Sequence, residues 1–342
     1  MENQLFVQTN NPVGNQILAY GRAEDGTLTL VETVSTGGNG GRNGGAVVDP
    51  LSSQDSLRYD AHHGLLIAVN AGSNTLSVLR LEEDRLRLRQ VLASGGTFPV
   101  SVAIHGDLLY ALNAHGAGAI TGYRIADGKL HPIDGSTRSL NLTPVTGPMQ
   151  FLNTPAQISF TPDGKYLIIT TILNGSLIDV FTVGTDGRPS NTFVANPAGT
   201  PGPFGFTFDD HGHLVVTDAV TSTLTTYTIH PDGTVTRIAG QPDGGTAMCW
   251  IARAAGNFYV ADSGSRNVTG YHIDRAGTPT VFTKTETREG PIDLVGTQDG
   301  QFLYVEVGGA GGVDGFRIKP DGTLAQIVTL TGLDGLEGIA IT

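Results

Sequence analysis

The sequence predicts an all-β fold, a seven-bladed β-propeller of four-stranded blades. Three observations predict it: a hairpin written seven times, a common spacing of about 45 residues between copies, and a C-terminal segment that matches the one strand missing from the first copy. The copies are YGRAEDGTLTLV from Tyr20, LRLEEDRLRLRQV from Leu79, YRIADGKLHPI from Tyr123, FTVGTDGRPSNTFV from Phe181, YTIHPDGTVTRI from Tyr227, YHIDRAGTPTVF from Tyr271 and FRIKPDGTLAQI from Phe316. Their starts differ by 59, 44, 58, 46, 44 and 45 residues.

Each hairpin alternates apolar and polar residues around a DG-type turn, where glycine takes a positive φ without a steric cost, and supplies the outer two strands of a blade. An apolar run precedes each one, such as LLIAVN at 65–70, YLIITT at 166–171 and FLYVEV at 302–307, and forms the second strand. Six innermost strands begin near Asp55, Pro99, Pro155, Pro203, Thr246 and Pro291. The first unit lacks one because the chain opens directly on LFVQT. LEGIAIT at 336–342 has no unit after it, so it pairs beside residues 5–9 and closes the ring, removing two open sheet edges. A pair of β-sandwiches is the alternative, and equal repeats argue against it.

Composition agrees: 48 glycines, 17 prolines and 15% charged residues suit short strands and tight turns, and no window holds a capped helical period. A net charge of −12 offers nothing to a phosphate backbone or an anionic membrane, so neither nucleic acid nor membrane is expected as a partner. The single cysteine, Cys249, excludes an internal disulfide and reads as a small buried residue. With no secretion-type start and no long apolar stretch, the chain is expected to be soluble, cytoplasmic or secreted if a signal was trimmed.

In a four-stranded meander the first and third turns share one face, and the second turns share the other with the blade-to-blade connections. The two long intervals place extra chain at 35–54 and 136–154, both on the second face, as lids over the channel mouth. By the same rule His62, His63, His105, His211 and His213 fall in first turns on the opposite face and read as solvated. His230 and His272 lie beside third turns and His131 follows in an outer strand. His115 alone reaches a second turn at the mouth.

Aligned on their turns, the innermost strands set Ser101, Gln157, Gly205, Met248, Asp293 and Glu337 at one level, with Leu57 as a seventh member. Two carboxylates facing one cavity split their pKa values into an acid and a base, so Asp293 and Glu337 are the expected catalytic pair. Glu306 ends the second strand of blade seven, in a place matched by Asp218 and Asp262, and His115 completes the catalytic candidates. Arg42 and Arg138 in the insertions are expected to bind substrate, with Gln157, Phe98, Phe204 and Trp250; Arg58 reads equally as part of a structural ion pair. No cofactor is expected. A divalent cation on Asp293, Glu306 and Glu337 has no ligand spacing behind it.

QISFTPDGKYLIITT, GSLIDVFTVGTDGRPS, STLTTYTIHPDGTVT and DGQFLYVEVGGAGGVDGFRIKPDGTL carry the strand-PDG-strand cadence of the seven-bladed lactonases. The chain resembles that family, which includes the propeller-type 6-phosphogluconolactonases and carboxymuconate-lactonizing enzymes. The resemblance implies a small-molecule enzyme with polar pairs at the tops of its innermost strands. Here the pairs read Val100-Ser101, Ala156-Gln157, Phe204-Gly205, Ala247-Met248, Ile292-Asp293 and Leu336-Glu337, so the acids remain and the basic members are absent. That points to a lactone or cyclic ester less polar than a sugar phosphate. An acid-base lyase or cyclase on the same carboxylates, and a non-catalytic ligand- or protein-binding propeller, are the alternatives.

Overall fold

The computed structural model describes residues 3–83 and 85–342. Among them are seven sheets of four antiparallel strands, each in the order innermost to outermost, with almost no helix. Blade three adds the short strand Arg138–Ser139 beside Ala119–Ala126. Blade one is completed from the other end of the chain: Ile339–Ile341 pairs with Gln4–Gln8, setting Leu5 opposite Ile341, Phe6 opposite Ala340 and Val7 opposite Ile339. The closure read from the sequence is the closure found.

Blades stack face to face, so a second strand is buried on both sides and reads as a continuous apolar run. Leu65–Asn70 and Phe302–Val307 are buried at every residue. Tyrosines in three of these strands tie their blade to the next. Tyr110, Tyr259 and Tyr304 donate their hydroxyls to the carbonyls of Gly187, Gly322 and Gly26, each in the outer turn of the following blade, at 2.6, 2.8 and 2.7 Å. The DG turns that supply those carbonyls are capped by aspartate: Asp25 Oδ1 accepts both the Thr27 amide and its hydroxyl, Asp321 does the same for Thr323, and Asp186 Oδ1 accepts the Arg188 amide. Gly26 has φ +89°, and a Cβ there would lie 2.4 Å from the Phe302 ring, so the turn requires glycine for both backbone and packing.

The innermost strands, Leu57–Asp60, Pro99–His105, Pro155–Phe160, Pro203–Phe208, Met248–Ala254 and Pro291–Gly296, surround the axis. In blades three to seven their pairing register shifts within the first few residues, after Pro99, Pro155, Pro203, Met248 and Pro291. Such bulges insert a residue and re-aim the side chains around it. They sit at the end of the channel where the blade-to-blade connections cross.

Candidate functional site

The channel mouth is closed by the chain itself. The two insertions meet on one face, where Gln150 Oε1 accepts from the Gly44 amide and the Phe151 amide donates to the Gly44 carbonyl. From there residues 49–55 cross the axis. The Gln54 side chain exchanges two hydrogen bonds with the Ile251 backbone in blade six, its amide donates to the Ala156 carbonyl in blade four, and Ser53 Oγ donates to the Val100 carbonyl in blade three. Trp250 Nε1 donates to the Ser53 carbonyl at 2.8 Å. Leu51, Ser53 and Ser56 are fully buried or nearly so. The first insertion is therefore a plug seated in the channel rather than a flap above it.

Under the plug the innermost-strand register differs from the sequence alignment in blades six, one and two, where no proline marks the start of the strand. Pro99, Pro155, Pro203, Met248 and Pro291 each pair with the last residue of their second strand, so Met248 is the counterpart of the four prolines. The residue at the level of Ser101, Gln157 and Asp293 in blade six is therefore Trp250. In blade one Ile339 pairs with Val7, as Leu294 pairs with Val305 in blade seven, and both second-strand residues face the third strand two positions before its bulge. Gly338 is then the counterpart of Asp293, and Glu337 lies one residue further back. The same count gives blade two Ser56 in place of Leu57. Val307, not Glu306, matches Asp218 and Asp262. Because strand side chains alternate, Glu306 shares its sheet face with Thr170 and Thr217, which donate to backbone carbonyls of the next blade. Glu306 makes the equivalent tie: its Oε2 accepts from the Gly338 amide at 3.0 Å, while Oε1 has no protein partner.

The carboxyl partner of Glu337 is Asp49, from the plug. One backbone amide, Leu51 N, lies 3.0 Å from Asp49 Oδ1 and 3.1 Å from Glu337 Oε2. A shared donor requires the two acids to be adjacent, and two bare carboxylates at that spacing repel, so the pair holds a proton. Asp49 is the anion, since the amides of Leu51, Ser52 and Ser53 all donate to it. Burial first, and then the Asp49 charge, pushes Glu337 well above the usual carboxyl range, which makes it the proton holder. Asp49 is itself raised by burial, against the pull of those hydrogen bonds. Asp293 faces the other way, toward the lower channel. Burial and then the charge of Asp55 raise it, and burial and then Asp293 raise Glu306.

Two cavities flank the plug. Below it, about 280 Å³ is lined by Asp293, Gln157, Arg58, Asp55 and Arg253 among others. Arg58 pairs with Asp55 at 2.9 Å and Gln157 Nε2 donates to Asp55 Oδ2, so this space holds the structural ion pair read for Arg58. Above the plug, about 190 Å³ lies among Val47, Val48, Phe151, Leu152, Ile172, Phe204, Val220 and Trp250, with Asp49 as its acid and Ser52 and Ser263 as its hydroxyl residues. Ser52 is held at φ +56° and its buried Oγ has no protein partner. Cys249 also lines this cavity, and burial pushes its thiol up, away from thiolate chemistry.

The remaining candidates disperse. Phe204 and Trp250 pack edge to face, 5.2 Å apart, in the upper cavity wall. His115 stacks on Phe98 at 3.9 Å and meets Asn43 Oδ1 through Nε2 at 2.8 Å, while Asn43 Nδ2 donates to the Leu51 carbonyl; this chain braces the plug. Burial pulls the His115 pKa down. Arg42 donates to the Ala46 carbonyl and lines a separate rim cleft with Asn10 and Leu336. Arg138 sits at the outer edge of blade three and donates to the carbonyls of Pro189 and Ser190 in blade four, so it is not a lid residue over the axis. Sequence reasoning missed Asp49 and Ser52. The available signal was that Asp49 is the one acid in the 35–54 insertion, followed by a Pro-Leu-Ser-Ser turn sequence.

No family model and no curated protein sequence matches the chain. Solved structures do. The periplasmic gluconolactonase PpgL of Pseudomonas aeruginosa superposes with a TM-score of 0.78 at 17% identity, covering 99% of this chain and 98% of the other. A protein from Lactobacillus plantarum gives 0.74 at 18% identity, covering 99% of both chains. Virginiamycin B lyase of Staphylococcus aureus gives 0.56 at 14% identity, over 81% of this chain and 86% of the other. At such identities the likeness is one of architecture, and along its whole length the chain has the fold of the seven-bladed propeller lactonases.

Proposed function

We propose that the protein is an enzyme acting on a small, uncharged lactone or cyclic ester bound in the upper cavity, with Asp49 and Glu337 as its acid-base pair. The observation that carries this reading is that Asp49 and Glu337, both buried, share the Leu51 amide, and that Asp49 lines a mostly apolar cavity. Asp49 takes a proton from water as the water oxygen bonds to the acyl carbon. Ser52 Oγ donates to the carbonyl oxygen as charge grows there. When the ring C–O bond breaks, the proton held by the pair passes to the leaving alkoxide, and the acid product leaves ionised. The similarity in fold to a gluconolactonase supports the reaction class. The cavity argues for its own substrate, because no Lys, Arg or His lines it and buried acids lie beneath. An anionic substrate would be repelled there.

The test is a panel of uncharged γ- and δ-lactones with a pH indicator, run on wild type, Asp49→Asn and Glu337→Gln. Turnover on at least one lactone is expected, with each variant folded and slower by roughly a hundredfold or more. Full activity in Glu337→Gln, or no turnover across the panel, overturns the proposal. A lyase reading draws on the similarity in fold to virginiamycin B lyase and on the mostly apolar lining of the cavity. Reaction in ¹⁸O-labelled water separates the two, since only hydrolysis places the label in the product.

A further inference from the structure

At the opposite end of the channel, two first turns approach one another. The blade-two turn carries His62 and His63 between Asp60 and Gly64, and the blade-three turn carries Asp107 after Gly106. Both glycines take positive φ, +65° at Gly64 and +54° at Gly106, which folds the two tips tightly enough to meet. The ligand-type atoms of His62, His63 and Asp107 all lie within 4.8 Å of one another, the one such cluster among the described residues; Asp293, Glu306 and Glu337 do not form one. His63 Nε2 is 3.1 Å from Asp107 Oδ1, and the rings of His62 and His63 stand at 84° with centroids 4.6 Å apart.

From this arrangement we propose that His62, His63 and Asp107 bind a late first-row divalent cation such as Zn²⁺, clamping blades two and three. Two ligands at about 2.05 Å from a tetrahedral ion stand about 3.3 Å apart, close to the spacing of His63 Nε2 and Asp107. His62 is exposed on its turn, so rotation of its side chain brings the third ligand in. A second carboxylate, Asp60 Oδ2, contacts His63 Nδ1. It fixes the tautomer that leaves the Nε2 lone pair free, the usual outer-sphere partner of a metal-bound imidazole. Two neutral imidazoles and one carboxylate leave a coordination position to water. The expectation that His62 and His63 are merely solvated turn residues does not extend to this contact between blades.

The test uses chelator-treated protein titrated with ZnCl₂ at pH 7.5 by calorimetry, repeated in His63→Ala, Asp60→Asn and a His211→Ala/His213→Ala control. The expected result is saturation at one ion per chain, affinity lower by about a hundredfold or more in His63→Ala and by roughly tenfold in Asp60→Asn, and no change in the control. Thermal midpoints should rise with Zn²⁺ in wild type and not in His63→Ala. Absence of saturable binding, binding unchanged in His63→Ala, or loss of binding in the control overturns the proposal. The readout is independent of lactone turnover, so it stands or falls apart from the function proposed for the other face.

Discussion

Asp179, in the third strand of blade four, is fully buried and neither carboxylate oxygen has a protein partner. Burial alone raises its pKa to about 7. Between about pH 4 and that value the folded chain keeps a proton that the unfolded chain releases, so folding takes up protons and stability falls as pH rises, by about 1.4 kcal/mol per unit per group. Asp218, raised by burial to about 6, and Asp262, raised by burial and then by Asp243 to about 8, add to the effect. From pH 5 to pH 8 the three together remove on the order of 8 kcal/mol, of which Asp179 accounts for about 2.6. Over 342 residues, at about 2.1 cal/mol/K per residue, that is a fall of roughly 10 °C in the melting midpoint. The assay is calorimetric or circular-dichroism melting from pH 5 to 8 on wild type and Asp179→Asn. The amide carries a pH-independent penalty of its own, so the informative quantity is the difference between the two curves. The variant should gain on wild type by about 2.6 kcal/mol over this range. Parallel curves would refute the assignment of a buried, protonated Asp179.

Removing residues 336–342 strips the innermost strand from blade one and uncovers Leu336 and Ile339 with their partners. It should cost at least about 4 kcal/mol and lower the melting midpoint, which a thermal scan detects. Trp250 is the single tryptophan of the chain and lines the upper cavity, so a bound uncharged lactone should shift its emission, whereas a ligand of the lower channel should not. Trp250→Phe orphans the buried Ser53 carbonyl and should destabilise by about 1–3 kcal/mol in a denaturant titration.

The fold was legible because its information is local and repeated. An aspartate that caps a turn, a glycine at positive φ and an alternating hairpin recur every 45 residues or so, and each copy confirms the others. The site was legible only in part, for a geometric reason. A bulge adds one residue without any composition of its own, and in a strand one residue reverses the face. Where no proline marks the start of an innermost strand the alignment lost its anchor: Met248, which holds the place of the prolines, stood in for Trp250, and Glu337 stood in for Gly338, while Glu306 was grouped with Asp218 and Asp262 when its neighbour Val307 holds that place. Asp49 eluded the reading for a different cause. It comes from a glycine-rich insertion with no period to align, and its role depends on where seven blades leave space. The histidine at the mouth was placed correctly on its face, yet Asn43 occupies it as a brace.

The seating of residues 49–55 bears on how the ring comes apart. In a propeller without a hub, each blade touches only its two neighbours, and unfolding spreads around the circle one unit at a time. Here a single segment is bonded to blades three, four and six at once and, through Asp49 and Glu337, to the strand that closes blade one. Those bonds run along spokes, so loosening any one blade strains the axle shared by the rest. The wheel should therefore hold its rim until the hub is withdrawn and then lose all its blades in one cooperative step.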